Sequence, residues 1–228
     1  MDIVVGMWLW LLAAYFLGAI PFALLVGKWL YGTDVRDYGS GNLGATNVYR
    51  VLGWGAGMIV FALDVGKGAL AVWIASLLHP QSMGPEVHDW VLIGAALAAV
   101  VGHSYSPYIR FRGGKSVATA AGALLFITPL AWPILFGTFI VVVAASRMVS
   151  LGSIVIAVEF PLLTLWLYGD STAIVTMSFV TSALVLWRHH RNMRRIVRGE
   201  EAKIGLRGRT AGPSRNPAEG RDDEGGAS

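Results

Sequence analysis

The residues best suited to chemistry lie in two glycine-rich segments, each of which carries a basic side chain. The first has the sequence GSGNLGATN at residues 39–47, and Arg50 follows it. Its closely spaced glycines let backbone N–H groups converge on an anion. Small polar residues add side-chain donors, namely Ser40, Asn42, Thr46 and Asn47. The alternative is a plain helix-connecting turn, but turns rarely need so many donors beside an arginine, so we interpret the segment as an anion-binding loop.

The second segment begins with His103 and Ser106 and ends in RFRGGKS at residues 110–116. A Gly-Gly turn that opens a helix, with a lysine at its start, is typical of a phosphate site, because free N–H groups, the positive helix end and an ammonium group converge there. We therefore expect Gly113, Gly114, Lys115 and Ser116 to bind phosphate. Arg110 and Arg112 fit the simpler interpretation of charges that set membrane topology.

Neither segment completes a nucleotide-binding motif. The first loop matches G-x-G-x-x-G, but that motif needs a preceding strand and a βαβ unit, whereas this loop lies between two apolar stretches. Gly-Lys-Ser at residues 114–116 resembles a Walker A loop, which would require a glycine where Ile109 stands. These observations exclude a dinucleotide-binding domain and a P-loop ATPase.

Three weaker groups of polar residues lie in or beside apolar stretches. Asp64 and Lys67 are one helical turn apart inside a predicted span, which indicates either a functional pair or a self-satisfying ion pair. Arg147, Ser150 and Ser153 cross from a loop into the sixth span. Near the C-terminus, His189 and Asn192 are also one turn apart, within a cluster of arginines that an anionic lipid surface would explain equally well. We assign no role to Glu159, which lies before Pro161.

Several kinds of chemistry are excluded by what the sequence lacks. There is no cysteine, so disulfides and thiolate catalysis are ruled out. The H-x-x-x-x-D acyltransferase box, the H-E-x-x-H and G-x-S-x-G motifs and a D-x-D cluster are all absent. We therefore expect neither a metal nor another cofactor, and we see no nucleic-acid partner.

The elements that must position these residues are membrane helices. The chain has 228 residues, of which 55% are hydrophobic and only 14% charged. Its mean hydropathy is +0.58, and a soluble domain would carry about a quarter charged residues. Apolar stretches predict an all-α integral membrane protein with seven transmembrane helices, at residues 3–26, 51–78, 90–102, 116–128, 130–145, 151–168 and 173–187.

The basic residues predict the orientation of these spans. With the N-terminus outside and the C-terminus cytoplasmic, the cytoplasmic segments 28–50, 103–115, 146–150 and 188–228 hold every Lys and Arg except Lys67. This distribution obeys the positive-inside rule. The predicted domains are a membrane domain over residues 1–205 and a disordered cytoplasmic tail over residues 206–228, which is rich in Gly, Pro, Arg and acidic residues.

Taken together, the motifs resemble those of the bacterial acyl-phosphate-dependent glycerol-3-phosphate acyltransferases. The likeness runs in order over residues 15–205: the loop at 39–47, Asp64-x-x-Lys67, His103-x-x-Ser106 with FRGGK at 111–115, and His189-x-x-Asn192 ending in G-x-E-x-K at 199–203. The resemblance implies a seven-helix enzyme of the bacterial inner membrane, with its active site facing the cytoplasm. Such an enzyme transfers a fatty acyl group from acyl phosphate to the 1-hydroxyl of glycerol 3-phosphate in phospholipid biosynthesis.

The resemblance also implies roles for individual residues. Gly113, Gly114 and Lys115 would hold the phosphate of acyl phosphate, and Arg50, His189 and Asn192 would bind glycerol 3-phosphate. The residues expected to orient the reacting groups are Ser40, Asn42, Ser150 and Ser153. We expect support from Asn47, Asp64, Lys67, His103, Ser106, Arg147 and Glu201. Expected partners are the two substrates, membrane lipid and the enzyme that makes acyl phosphate.

Two positions depart from the family pattern, and one rival function stays open. The family usually has Gly where this chain has Ser116, and usually has Ser where this chain has Gly152. The rival is a transporter for an organic phosphate, which would place its site near the bilayer midplane on broken helices. Against the transporter, the expected donors lie in loops on one side of the membrane, and no internal repeat is visible.

Overall fold

The computed structural model describes residues 2–78 and 84–205, and every regular element in these two ranges is a helix. The ten α-helices are α1 (Asp2–Ala19), α2 (Phe22–Tyr31), α3 (Ala45–Leu52), α4 (Trp54–Leu78), α5 (Pro85–Ser104), α6 (Val117–Ile127), α7 (Ala131–Ser146), α8 (Val149–Leu167), α9 (Thr172–Arg188) and α10 (His190–Val197). A short 3-10 turn covers Pro107–Ile109. The all-helical prediction is confirmed for this part of the chain, and the predicted tail at 206–228 lies outside the described residues.

Three of these helices are long and apolar enough to cross a membrane: Trp54–Leu77, Glu86–Ile109 and Val149–Leu167. A fourth span results if Trp8–Ala19 and Phe22–Tyr31, which are separated at Ile20 and Pro21, are counted as one. Shorter apolar helices are Val117–Ile127, Ala131–Ser146 and Thr172–Arg188. Each of the seven stretches predicted from the sequence therefore contains a helix, while the number of crossings and their direction stay predictions.

The chain divides into two compact units. Among the described residues, the larger unit comprises residues 2–20, 64–78 and 84–204, and the smaller comprises residues 21–63 and 205. The second half of the sequence motifs, from Asp64 to Glu201, thus falls in the larger unit, whereas the loop at residues 39–47 and Arg50 belong to the smaller one. The boundary of the predicted membrane domain at residue 205 stays a prediction.

Close helix packing in the larger unit depends on small residues. The core contains many alanines, and glycines occur where α1 and α5 touch. A Cβ atom on Gly18 would collide with the backbone of Ala99, and one on Gly102 would collide with the carbonyl oxygen of Tyr15. Small residues let membrane helices approach closely enough for extensive van der Waals contact. Gly18 and Gly102 thus allow α5 to pack closely against α1. The second glycine-rich segment follows directly after α5.

A buried polar cluster lies at the C-terminal ends of α1 and α5. Lys67 Nζ lies 2.7 Å from Asp64 Oδ1 and donates to the carbonyl oxygen of Ile20 at 2.9 Å. His103 Nδ1 is 3.5 Å from the same carboxylate oxygen. Ser106 Oγ donates to the carbonyl oxygen of Ala19 at 2.6 Å. Of the two interpretations of Asp64 and Lys67, these contacts favour the ion pair, because the charges compensate each other and hold backbone groups.

The orientation of the spans can be tested with single cysteines, since the natural chain has none. We expect a cysteine at Asp170 to react with a membrane-impermeant thiol reagent added to intact cells, and a cysteine at Arg198 to react only after the cells are broken. Both side chains are exposed, so accessibility is set by the side of the membrane. Labelling of position 198 but not 170 in intact cells would contradict the predicted orientation.

Candidate active site

The segment between α5 and α6 forms a tight turn whose glycine N–H groups are already used. Gly113 N donates to the carbonyl oxygen of Ser104 and Gly114 N to that of His103, both at 3.1 Å. A Cβ atom on Gly113 would collide with the carbonyl oxygen of His103, which explains why glycine is required there. The predicted cradle of free N–H groups is therefore wrong at these two glycines, because the turn uses them to close onto the end of α5.

Arg188 holds the carbonyl oxygens of the same two glycines. Its Nη2 donates to the carbonyl oxygen of Gly113 at 2.7 Å and to that of Gly114 at 2.8 Å, and its Nε donates to Gly114 at 3.0 Å. Its guanidinium carbon also lies 5.4 Å from the centre of the Tyr105 ring. The sequence analysis left Arg188 within the arginine cluster around His189 and Asn192, because its residue type alone does not separate it from the other arginines.

Ser116 serves the turn rather than a ligand. Its backbone is left-handed, with φ of 62°, and its side chain is buried. Ser116 Oγ donates to the carbonyl oxygen of Val100 at 2.7 Å and lies 2.5 Å from Ser104 Oγ. The side chain of Ser116 is thus occupied within the turn, and phosphate binding at this residue stays a prediction. A left-handed conformation suits glycine, so the hydroxyl contacts account for how serine is accommodated at this position.

Lys115 reaches out of the turn toward the start of α10. Its Nζ donates to Asn192 Oδ1 at 2.6 Å, across 77 residues of sequence. Asn192 Nδ2 in turn donates to Glu201 Oε1 at 2.7 Å. The structure thus joins Lys115, Asn192 and Glu201, three residues that the sequence analysis singled out in separate motifs, through a single line of hydrogen bonds.

Glu201 is the residue at which this line of hydrogen bonds branches. Its Oε1 also accepts from Ser150 Oγ at 2.7 Å, and its Oε2 accepts from Arg195 Nε at 2.7 Å. Burial alone raises the pKa of this carboxyl, but the hydrogen bonds from Ser150, Arg195 and Asn192 hold the pKa below its usual value. Glu201 is therefore ionised at neutral pH and accepts from all three donors.

The predicted serine cluster divides between two kinds of contact. Ser150 bonds to Glu201, whereas Ser153 Oγ donates to the carbonyl oxygen of Val149 in its own helix at 2.9 Å. Arg147 contributes through its backbone, since its carbonyl oxygen accepts from Ile204 N at 2.8 Å. This bond ties the segment that carries Glu201 to the turn between α7 and α8. The Arg147 side chain is exposed.

Gly152 is a packing residue. A Cβ atom at this position would approach Val143 Cγ2 within 2.8 Å and Phe139 Cδ2 within 3.0 Å. A serine here would thus point its side chain into the packing between α7 and α8, a contact distinct from that of Ser150 with Glu201. The departure at position 152 therefore leaves the hydrogen bonds of Glu201 intact.

His189 lies just beyond the end of α9 and is 2% exposed. Its Nδ1 is 2.8 Å from the carbonyl oxygen of Val185. A carbonyl only accepts, so Nδ1 carries the proton and Nε2 of the neutral ring is an acceptor. Burial, and next the positive charge of Lys115, lower the pKa of His189 to about 4. At neutral pH the ring is uncharged and suited to accept a hydrogen bond.

The smaller unit contains the first glycine-rich loop, and Asn47 organises it. Asn47 is buried, and its Oδ1 accepts from Ser40 N at 2.8 Å and from Ser40 Oγ at 3.1 Å. Its Nδ2 donates to the carbonyl oxygens of Val35 and Tyr38. Asn47 thus holds the backbone of the loop together, and its supporting role in the site stays a prediction. Ser40 is exposed, while Asn42 and Arg50 are partly exposed.

No group of three or more metal-ligating side chains occurs within residues 2–78 and 84–205.

Glu159, for which the sequence suggested no role, accepts from Thr138 Oγ1 at 3.1 Å through its Oε1. This contact joins α7 to α8 and gives the carboxyl group one partner inside an apolar helix pair.

Substitution of Ser116 tests the strain in the turn. We expect Ser116→Ala to be less stable than Ser116→Gly by about 1 kcal/mol, because alanine keeps the left-handed strain and loses the hydroxyl contacts, whereas glycine adopts this conformation without strain. Thermal unfolding midpoints in detergent measure the difference. Ser76→Ala, which removes a hydroxyl bonded within its own helix, is the control. Equal midpoints for the two Ser116 variants would show that the turn is unstrained.

Substitution of Glu201 tests the branch point. Glutamine has one acceptor oxygen, so its amide nitrogen must face either Arg195 or the pair Ser150 and Asn192, all of which donate. We expect Glu201→Gln to lose about 1–3 kcal/mol of stability, measured by thermal unfolding. Glu200→Gln, an exposed neighbour, should leave the midpoint unchanged. A Glu201→Gln protein as stable as the parent would contradict the network.

Comparisons with known proteins place the chain in a family. A family model described as glycerol-3-phosphate acyltransferase matches residues 8–199. A glycerol-3-phosphate acyltransferase from Synechococcus sp. strain CC9902 is 46% identical over 199 residues, covering 86% of this chain and 94% of the relative. One from Thermus thermophilus is 43% identical over 197 residues, covering 86% of this chain and 94% of the relative.

Two solved structures have the same fold. Both are of PlsY, an integral membrane glycerol 3-phosphate acyltransferase, and both are 36% identical to this chain, covering 88% of it and 96% of the solved chain. The TM-score is 0.79 for the glycerol 3-phosphate form and 0.77 for the lysophosphatidic acid form. The extent of the match, in sequence and in structure, shows that this chain is a membrane protein that belongs to the glycerol-3-phosphate acyltransferase family.

Proposed function

We propose that this protein transfers a fatty acyl group from acyl phosphate to the 1-hydroxyl of glycerol 3-phosphate. The products are lysophosphatidic acid, which is 1-acyl-glycerol 3-phosphate, and inorganic phosphate. The observation that carries the proposal is the hydrogen bond of Lys115 to Asn192 beside buried His189, because it places an ammonium group and a neutral acceptor in one part of the larger unit. Family membership supports acyl transfer and sets the transporter alternative aside.

The proposed roles follow from the contacts of each residue. Lys115 neutralises the phosphate of the donor, while Asn192 and His189 bind glycerol 3-phosphate, with His189 Nε2 accepting from a hydroxyl. Gly113 and Gly114 shape the turn instead of binding phosphate themselves. The roles of Ser40, Asn42 and Arg50, and of Ser150 and Ser153 in orienting the reacting groups, rest on the resemblance of their motifs.

The chemistry requires no covalent intermediate on the protein. The glycerol hydroxyl oxygen attacks the acyl carbonyl carbon, the bond from that carbon to the phosphate oxygen breaks, and phosphate leaves with both bonding electrons. Phosphate is a good leaving group, so the protein needs only to align the reactants and neutralise charge. The hydroxyl proton passes to a phosphate oxygen of the donor, which gives hydrogen phosphate as the product.

The alternative base is His189, and its environment argues against that role. A general base works best when its pKa is near the operating pH, and the pKa of this ring is lowered to about 4. A neutral imidazole that accepts a hydrogen bond fits a substrate ligand better than a proton acceptor. The protein therefore relies on positioning and on the charge of Lys115.

We place the enzyme in the bacterial inner membrane with its site open to the cytoplasm, in accordance with the positions of the basic residues. The acyl chain lies between helices and reaches the site from the lipid. The enzyme that produces acyl phosphate is the expected partner, because a membrane-embedded acceptor of this donor needs a supplier at the same surface. Neither a cofactor nor a nucleic acid has a part in the proposed reaction.

Purified protein supplied with acyl phosphate and glycerol 3-phosphate, without coenzyme A or metal, tests the function directly. We expect lysophosphatidic acid and phosphate in equal amounts. Lys115→Ala should abolish turnover, since a phosphate contact in a dry site is worth several kcal/mol, whereas Arg112→Ala, at an exposed arginine of the same turn, should change the rate little. Product formation only with acyl-coenzyme A as the donor would refute the proposed donor.

The role of His189 predicts a specific kinetic result. His189→Gln should raise KM for glycerol 3-phosphate and leave kcat within about tenfold, because it removes a ligand; loss of a base would lower kcat by about a hundredfold or more. The folded pKa of about 4 lies below the unfolded value of 6.5, so the unfolded state binds the extra proton first as pH falls. The parent should therefore lose stability between these two pH values, and the variant should lose less.

A further inference from the structure

The direction of Lys115 depends on two peptides that have no side chain to hold them. Glycine backbones are conformationally permissive, so the Gly113 and Gly114 peptides need external contacts. On one side these contacts are the carbonyl oxygens of His103 and Ser104, which accept the two N–H groups. Together with the hydroxyl contacts of Ser116, these acceptors hold the turn to α5 from one side.

Arg188 supplies the contacts on the opposite side. Its Nε and Nη2 atoms make three hydrogen bonds to the two carbonyl oxygens, at 2.7–3.0 Å. A guanidinium group is planar, so a pair of bonds from it fixes direction as well as distance. The ring of Tyr105, 5.4 Å from the guanidinium carbon, provides a face on which the cation rests.

Peptide geometry links these bonds to Lys115. In a trans peptide the C=O and N–H groups point in opposite directions. Since Arg188 holds the carbonyl oxygen of Gly114, the N–H of Lys115 in the same peptide points away from Arg188. The Cα of Lys115 is thereby placed, and its side chain leaves the turn toward Asn192, whose Oδ1 lies 2.6 Å from Nζ.

We propose that Arg188 is a positioning residue, which holds the Gly113 and Gly114 carbonyls and so sets the direction from which Lys115 meets the phosphate of the acyl donor. This inference rests on the proposed function for the identity of the phosphate. It assigns to Arg188 a role separate from that of the exposed arginines in and just after α10, namely Arg191, Arg194 and Arg198, for which the described part of the chain shows no hydrogen bond to the turn.

Kinetics with each substrate varied separately test the inference. We expect Arg188→Ala to raise KM for acyl phosphate by about tenfold or more, since hydrogen bonds to a charged group are being lost, and to leave KM for glycerol 3-phosphate within about twofold. Arg188→Lys should restore KM for acyl phosphate only partly, because an ammonium group lacks the planar pair of donors with which a guanidinium group binds two carbonyl oxygens. Arg191→Ala is the matched control and should match the parent.

Hydrogen exchange of the substrate-free protein provides the second readout. If Arg188 holds the turn, the Gly113 and Gly114 amides should exchange faster in Arg188→Ala and keep the parent rate in Arg191→Ala. Tyr105→Phe, which retains the ring face, should keep the parent exchange rates of the Gly113 and Gly114 amides. Tyr105→Leu should raise these rates, but by less than Arg188→Ala does. Unchanged amide exchange in Arg188→Ala would overturn the positioning role, even if KM rose, because Arg188 would then be contacting the donor directly.

The two proposals fail in different ways. A parent protein that does not use acyl phosphate refutes the proposed donor, and the exchange measurement still decides whether Arg188 holds the turn. If the parent is active and Arg188→Lys has the same KM for acyl phosphate, the planar guanidinium group is not required to hold the turn. The proposed function would then remain intact.

Discussion

The hydrogen bond from Lys115 Nζ to Asn192 Oδ1 joins two segments that lie 77 residues apart in the sequence, and both must be held so that these two atoms stay 2.6 Å apart. An ammonium group in a partly buried place is stable only with oriented acceptors around it, and the amide of Asn192 must turn its oxygen toward Lys115. Glu201 produces that orientation, because its carboxylate can bond only to the nitrogen side of the amide. Glu201 thus orients the acceptor that holds the ammonium group of Lys115.

Each end of this bond has its own support. On the side of Lys115, the glycine turn is held by the last carbonyls of α5, by Arg188 and by the buried hydroxyls of Ser104 and Ser116. On the side of Asn192, Glu201 is anchored by Ser150 and Arg195, and the segment after it is joined to Arg147 by a backbone bond. Precise placement of a few catalytic groups commonly depends on such supporting bonds.

Charge compensation differs between the two polar regions of the larger unit. Asp64 and Lys67 lie inside a long apolar helix and compensate each other, with His103 and the Ile20 carbonyl close by. These contacts connect the C-terminal ends of α1 and α5 to α4. In the region around Lys115, by contrast, basic groups predominate, and after burial the charge of Lys115 is the next cause that lowers the pKa of His189. An excess of positive charge suits a site that receives phosphate groups.

The sequence by itself determined that the chain is helical and membrane-embedded, because hydrophobic composition and the spacing of charges depend only on residue type. It also singled out Lys115, Asn192, His189 and Glu201 as candidate site residues, because their motifs combine glycine, charge and amide groups. Tertiary structure decided which atoms these groups use. Hydrogen bonds of Gly113 and Gly114 to α5, and of Ser116 to Ser104, join residues whose approach depends on the turn between two helices. Arg188 resembled its neighbouring arginines in sequence, and only the three-dimensional approach of α9 to the turn distinguishes its guanidinium group from theirs.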